Sequence, residues 1–393
     1  MGLYIGKDRT ARRCYGFDEI ALMPGNVTVN PNEADTSWHV GLPDRQAGKY
    51  KFKVPIIAAA MDGVVDVRFA IEFGKFGGFA VLNLEGIQTR YENPDEVLEK
   101  ISKATPQEAT ELVQGIYTKP IKEELITKRI KQIKEKNVPA VVSAIPQRAE
   151  KFGKIAQAAG CDIFIVQSTV TTVKHVSKEY KVLDFKKFCQ AMKIPVIVGN
   201  TCSYQTALEL MQTGISGLLV GIGPGAACTT RGVLGIGVPQ VTATVDCAAA
   251  RDYYFKKKKV YVPIITDGGM STGGDICKAF ACGADAVMVG SAFARAQEAP
   301  GRGFHWGMAT PHANLPRGTR IKVGTTGTLK EILFGPANTD DGTQNLMGAL
   351  ATSMGNVGAK NIKEMQKCEI IIAPSIRTEG KVFQRAQNIG MGK

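Results

Sequence analysis

The sequence predicts an α/β protein, a (β/α)8 TIM barrel forming a single domain over residues 1–393, from three observations: eight short apolar runs, helix-like segments between most of them, and glycines and acids after the runs. The runs begin at Val54 (VPIIAAAM), Phe79 (FAVLNL), Pro139 (PAVVSAI), Asp162 (DIFIVQS), Ile194 (IPVIVG), Gly217 (GLLVGI), Val262 (VPIITDGG) and Asp285 (DAVMVGS). Runs of this length, bounded by Gly or Pro, suit parallel strands: helices cover both faces of the sheet, so no polar alternation is needed. Ser203 to Gly214 and Ser271 to Gly283 read as connecting helices, the second closed by a glycine at its C-terminal end. Eight such units favour a closed barrel over an open doubly wound sheet.

Two stretches break the rhythm. A helical insertion near 88–138 contains PIKEELITKRIKQIKEK, expected to cover the barrel's flank. A Gly-rich C-terminal extension near 311–393 is too long for a last helix and is expected at the top face or in subunit contacts.

Composition narrows the function classes. With 44% hydrophobic and 22% charged residues the chain reads as globular, and it has neither an 18-residue apolar run nor a signal-peptide core. A cytoplasmic protein without membrane contacts is therefore expected. The 9 cysteines form no CxxC pair and only 4 histidines accompany them, which argues against zinc and for reduced thiols, with Cys14 and Cys202 read as structural. A net charge of +13 admits nucleic acid, a membrane surface or a small anionic substrate, and no nucleic-acid motif accompanies it. Its densest stretch, Lys256 to Lys259, is expected in a solvated loop between helix and strand.

In such barrels chemistry sits where the strands end. The sixth run leads into GIGPGAACTTRGVLGIGVPQ, in which Gly221, Gly223 and Gly225 permit tight turns before Cys228. A thiol there is either an inert small residue or a nucleophile, and the surrounding glycines favour the nucleophile. The seventh and eighth runs end in DGGMSTGGD and VGSAFA. Amides of Gly268, Gly269, Gly290 and Ser291, beside the helix N-termini that follow, suit a phosphate, and Asp267 suits a ribose hydroxyl pair. Each glycine alone is equally a structural turn; two such loops on adjacent strands point to an anion.

Together these segments resemble the IMP dehydrogenase and GMP reductase family across nearly the whole chain. The match lies in GPGAACTT from Gly223, DGGM followed by GGDICKAFACGADAVMVGS, HWGMAT at His305 to Thr310, and MDGVVD at Met61 to Asp66. The resemblance implies a homotetramer or octamer acting on a purine nucleoside 5′-monophosphate (GMP or IMP) through a thioimidate on Cys228. It implies that Gly307, Met308 and Ala309 meet the purine edge, and that Gln167, Ser168, Asn200, Ile222 and Gly223 meet the nicotinamide. The carbonyls of Gly223, Gly225 and Cys228 would hold a monovalent cation, K+.

Within the family, three features favour a GMP reductase, which converts GMP to IMP and ammonia with NADPH, over IMP oxidation with NAD. The Cys loop reads CTTR, placing Thr230 on the reductase's catalytic threonine. The 88–138 insertion is too short for the CBS regulatory modules usual in dehydrogenases. Only PHANLP, Pro311 to Pro316, separates HWGMAT from RGTRI, with no Arg-Tyr flap to activate water. Hydrolysis of a thioimidate needs a positioned base, whereas reduction needs a hydride donor over the same carbon. Three positions depart from the family: Arg317 stands for the reductase's glutamate, Gln167 for an aspartate facing the nicotinamide, and His305 for an aromatic residue near the phosphate. The pattern resembles a divergent dehydrogenase-related branch found in some bacteria, cyanobacteria included. IMP oxidation and a nucleotide-binding regulator without turnover remain the alternatives; a flavin barrel would leave Cys228 without a role.

Overall fold

The computed structural model describes residues 2–43, 50–308, 320–373 and 380–390. All eight apolar runs become strands of one parallel sheet: β1 (Ile56–Ala58), β2 (Val81–Asn83), β3 (Val141–Ala144), β4 (Ile163–Gln167), β5 (Val196–Thr201), β6 (Gly217–Val220), β7 (Ile264–Asp267) and β8 (Ala286–Val289). Their order is β1-β8-β7-β6-β5-β4-β3-β2, and a parallel bridge between Ala58 and Ala80 joins the two ends, closing the barrel. Register is direct, for example Val287 opposite Ile56 and Val81 opposite Val141. Ile56, Val81, Val141, Ile165, Val198, Leu218, Ile265 and Val287 have no exposed surface, as residues covered on both faces should.

The helices α1 (Val67–Lys75), α4 (Glu123–Lys134), α5 (Pro146–Ala158), α6 (Phe185–Ala191), α7 (Tyr204–Met211), α9 (Gln240–Lys258) and α10 (Gly273–Ala281) pack outside the barrel, with a short α8 (Thr230–Leu234) before α9 and a short α11 (Ser291–Ala294) after β8. Their starts are sequence-encoded. Asp66 Oδ1 accepts from Phe69 N at 2.7 Å to open α1, and Thr272 with Asp275 forms a capping box on α10. Lys256 to Lys258 form the last turn of α9, with Lys259 as a left-handed cap at φ +59°, instead of the expected loop. Lysines there oppose the negative end of the helix dipole, which explains the cluster without any anionic partner.

The insertion divides in two. Only α4 covers the flank as expected, whereas α2 (Pro94–Lys103) and α3 (Pro106–Tyr117) build a second apolar cluster of Ile87, Val97, Leu98, Ile101, Val113, Ile116 and Tyr117 around Trp306. The C-terminal extension also divides. Ile321–Lys322 pairs with Phe304–His305 near the strand ends, while α12 (Leu329–Phe334), α13 (Leu346–Asn356) and α14 (Ile362–Met365) lie elsewhere. Packing of α13 on α10, and pairing of Ile370–Ile372 with Ile20–Leu22, place most of its described part on the barrel's side, correcting the top-face expectation.

Candidate active site

The Cys loop is shaped by its contact with the end of β7. After Val220 the chain turns through Gly221 (φ +144°) and Gly223 (φ +78°). A Cβ on Gly221 would lie 2.2 Å from the Asp267 carbonyl oxygen, so only glycine fits. Gln240, at the start of α9, ties both strand ends together, its Nε2 donating to Val220 O at 2.7 Å and Asp267 O at 3.2 Å. Pro224 presses on the next turn, where a Cβ on Gly269 would be 3.0 Å from its Cβ. The loop thus presents Cys228, exposed, with its amide donating to Gly225 O at 3.0 Å and its Sγ 3.2 Å from the Oγ1 of buried Thr230. That hydroxyl can stabilise a thiolate or pass a proton to a group leaving the carbon the thiolate attacks. Arg231 folds back behind the loop, Nη2 donating to Val238 O at 2.7 Å.

Asp267 closes β7 beside this loop. Its Oδ2 accepts from Asn200 Nδ2 at 2.8 Å and Gln167 Nε2 at 3.1 Å, and the two amide side chains bond each other at 3.1 Å. Burial pushes the carboxyl up to about 6 although both hydrogen bonds pull it down, because neither partner carries charge. Gln167 and Asn200, expected at the nicotinamide, are therefore also the groups that orient Asp267. Ser168 Oγ bonds Val170 O at 3.1 Å and borders a cavity of about 70 Å³ with Gln147, His175 and Tyr180. Ile222 is buried, so it can offer a ligand only its backbone.

The expected phosphate loops divide by availability. Gly268 (φ +84°) donates its amide to Met288 O at 3.2 Å, so it supplies the turn, not a donor. Among the described residues the amides of Gly269 and Gly290 have no hydrogen-bond acceptor. Ser291 Oγ lies 3.2 Å from His305 Nε2, and burial, with Arg295 nearby, pushes that imidazole down to about 4, so His305 is neutral at pH 7. At the start of α10, beside the first of these loops, Asp275 Oδ2 accepts from Ser271 N at 3.1 Å and Thr272 N at 3.2 Å. A carboxylate of the chain itself occupies those amides.

The β1 loop meets the segment expected at the base. A Cβ on Gly63 would be 2.8 Å from Phe304 O and 3.1 Å from the Trp306 ring, and one on Gly290 would be 2.8 Å from Met61 Sδ. Gly307 and Met308 follow Trp306, with Met308 Sδ 3.4 Å from the Tyr117 hydroxyl, whereas Ala309, the 311–316 stretch and Arg317 lie outside the described residues. No group of His, Cys, Asp and Glu among the described residues could hold a metal ion, and no helix among them is long and apolar enough to cross a membrane. Sequence reasoning missed Gln240, Asp275 and Tyr117. Thr272-x-x-Asp275 is a readable capping signal, while the other two act through contacts distant in sequence.

Residues 14–382 match the IMP dehydrogenase / GMP reductase domain. The chain is 35% identical to an uncharacterized oxidoreductase of Mycolicibacterium smegmatis over 94% of its own length and 99% of the relative's, and 36% identical to one of Mycobacterium tuberculosis over the same shares. Against the inosine-5′-monophosphate dehydrogenase of Methanocaldococcus jannaschii it is 27% identical, with both chains fully covered. A crystal structure of an IMP dehydrogenase/GMP reductase-like protein from Corynebacterium glutamicum superposes with a TM-score of 0.88 at 34% identity, covering 94% of this chain and 97% of the other. The chain belongs to the IMP dehydrogenase/GMP reductase family of oxidoreductases.

Proposed function

We propose that this family member is a GMP reductase: Cys228 adds to C2 of GMP, ammonia leaves, and a hydride arrives at C2 before the thiolate departs, giving IMP. The observation that carries the reading is an exposed thiol 3.2 Å from a buried threonine hydroxyl, on a loop pressed against the Asp267–Gly269 turn. The sulfur–carbon bond formed by Cys228 replaces the C2–nitrogen bond, and Thr230 handles the proton that the departing amine takes up. Asp267 accepts from the ribose hydroxyls in its ionised form, and Gly269, Gly290 and Ser291 receive the phosphate. Gly307 and Met308 meet the purine edge, together with Ala309.

Gln167, Asn200 and Ser168 would border the nicotinamide as uncharged polar groups whose own N–H and O–H donors are already engaged within the chain, and NADPH bound there would supply the hydride. The carbonyls of Gly223, Gly225 and Cys228 suit a monovalent cation such as K+, with Gly225 O keeping a second lone pair beyond its bond to the Cys228 amide.

One observation favours IMP oxidation as a second reading: a relative with a stated activity, that of Methanocaldococcus jannaschii, is an IMP dehydrogenase. Arg317, where the reductase's glutamate is expected, and Gln167 favour instead a nucleotide-binding regulator without turnover. Absorbance at the nicotinamide band separates the three. GMP-dependent loss of NADPH supports reduction, IMP-dependent formation of NADH reverses the direction, and nucleotide binding with neither makes the protein a regulator.

A further inference from the structure

The α2–α3 unit grips the base-binding segment on both sides of residues 309–319. Before that stretch, the Tyr117 hydroxyl at the end of α3 donates to Asp62 Oδ2 at 2.5 Å and accepts from Trp306 Nε1 at 2.8 Å. The same oxygen lies 3.4 Å from Met308 Sδ. Asp62 Oδ2 also accepts from Ile87 N at 2.7 Å, which fixes the carboxylate against the β2 loop. After that stretch, Arg320 lies over the Phe304 ring at 4.3 Å and donates to Ala104 O at 2.9 Å and to Ile101 O, at the C-terminal end of α2. Trp306 has no exposed surface and belongs to the α2–α3 cluster, not to the barrel core.

A buried hydroxyl that donates to a carboxylate and accepts from an indole N–H fixes the relative position of the two, since moving either breaks a hydrogen bond made away from water. Apolar packing around Trp306 would hold the ring without fixing its rotation or height. The hydroxyl adds that constraint two residues before Met308.

We infer that Tyr117 is a positioning residue for purine recognition: the insertion sets, through Asp62 and Trp306, the height at which Gly307 and Met308 meet the base. The inference rests on the nucleotide reading given above. It separates the ligand into two parts, because the phosphate and ribose are received by the β7 and β8 loops and only the base depends on the insertion.

Binding of GMP, IMP and ribose 5-phosphate, measured by calorimetry on the full chain, tests this. Tyr117→Phe keeps the ring in its cluster and removes the hydroxyl. GMP and IMP are expected to bind about tenfold more weakly, the scale of one hydrogen bond to a charged network, while ribose 5-phosphate stays within about twofold. Val113→Ala, a cavity in the same cluster, is expected to lower the melting temperature without changing the ratio of nucleotide to ribose 5-phosphate affinity. Unchanged nucleotide binding in Tyr117→Phe, an equal loss for all three ligands, or the same selective loss in Val113→Ala would each overturn the inference. Wild-type protein that bound ribose 5-phosphate but neither nucleotide would overturn the functional reading as well.

Discussion

The two ends of the barrel each carry an aspartate held by hydrogen bonds, Asp285 buried and Asp267 partly buried, and the two are treated in opposite ways. Asp285, just before β8, accepts from Arg251 Nη1 at 3.0 Å, Tyr261 at 2.8 Å, Gln366 at 3.1 Å and the Ile264 amide at 2.9 Å, with Lys363 alongside. Burial alone would push its carboxyl up, but Arg251 and Lys363 outweigh it and hold it below the usual carboxylate range. Asp267, at the other end of β7, is held among the described residues by two neutral amides and is pushed up to about 6. One end neutralises its charge within the protein; the other leaves it for something to come. That asymmetry is what a barrel with stability at the N-terminal face and chemistry at the C-terminal face should show.

The comparison breaks most visibly at Asp285. Asp285→Asn leaves the Arg251 side chain, 4% exposed, with only the exposed Asp252 as counter-charge, and is expected to cost about 3–5 kcal/mol in denaturant unfolding. A loss below about 1 kcal/mol would show that the cluster does not anchor α14 and α9 to the barrel. Because the folded carboxyl is depressed, its contribution is present above the unfolded value and disappears only as pH falls below the ordinary carboxylate range.

At Asp267 the sign reverses. A folded pKa raised from 3.8 to about 6 means that ionisation works against folding, absent below about pH 4 and fully felt above about pH 6. Asp267→Asn is expected to raise stability at pH 7 on the order of 1–3 kcal/mol, with no gain at pH 4, while weakening nucleotide binding. Wild-type affinity for a nucleotide is expected to fall as pH drops through about 6. A destabilised Asp267→Asn variant would make Asp267 another structural acid and erase the contrast between the ends.

The smallest expected effect on folding is at Cys228. The thiol is exposed, so Cys228→Ala should change stability by no more than about 0.5 kcal/mol while removing turnover. Thermal unfolding beside an activity assay checks it, and a variant that loses both together would place the residue in the packing, not the chemistry.

What could be read in advance follows the range of the forces involved. Strands such as Val196–Thr201 and Ala286–Val289 are β-rich apolar runs buried on both faces, a pattern local to the sequence. The turn at Gly221 is equally legible, because tight backbone approach excludes a side chain, whereas Gly268, expected as a phosphate donor, spends its amide on Met288 O. The destination of α2 and α3 was not: an amphipathic helix declares that it has a buried face but not which surface receives it. Gln167 and Asn200 reach Asp267 only because closing the sheet sets β4, β5 and β7 in register, and no local spacing encodes a contact across 100 residues.

Covalent bonding of Cys228 to C2 of a purine nucleotide is read directly by intact-protein mass after acid quench. GMP with NADPH and IMP with NAD lead to the same thioimidate, so direction does not affect the result. A mass increase of GMP less ammonia is expected, mapped to the peptide containing Cys228 and absent in Cys228→Ala. Hydride exchange that proceeds with Cys228 unmodified, or that survives in Cys228→Ala, would contradict the covalent bond at Cys228.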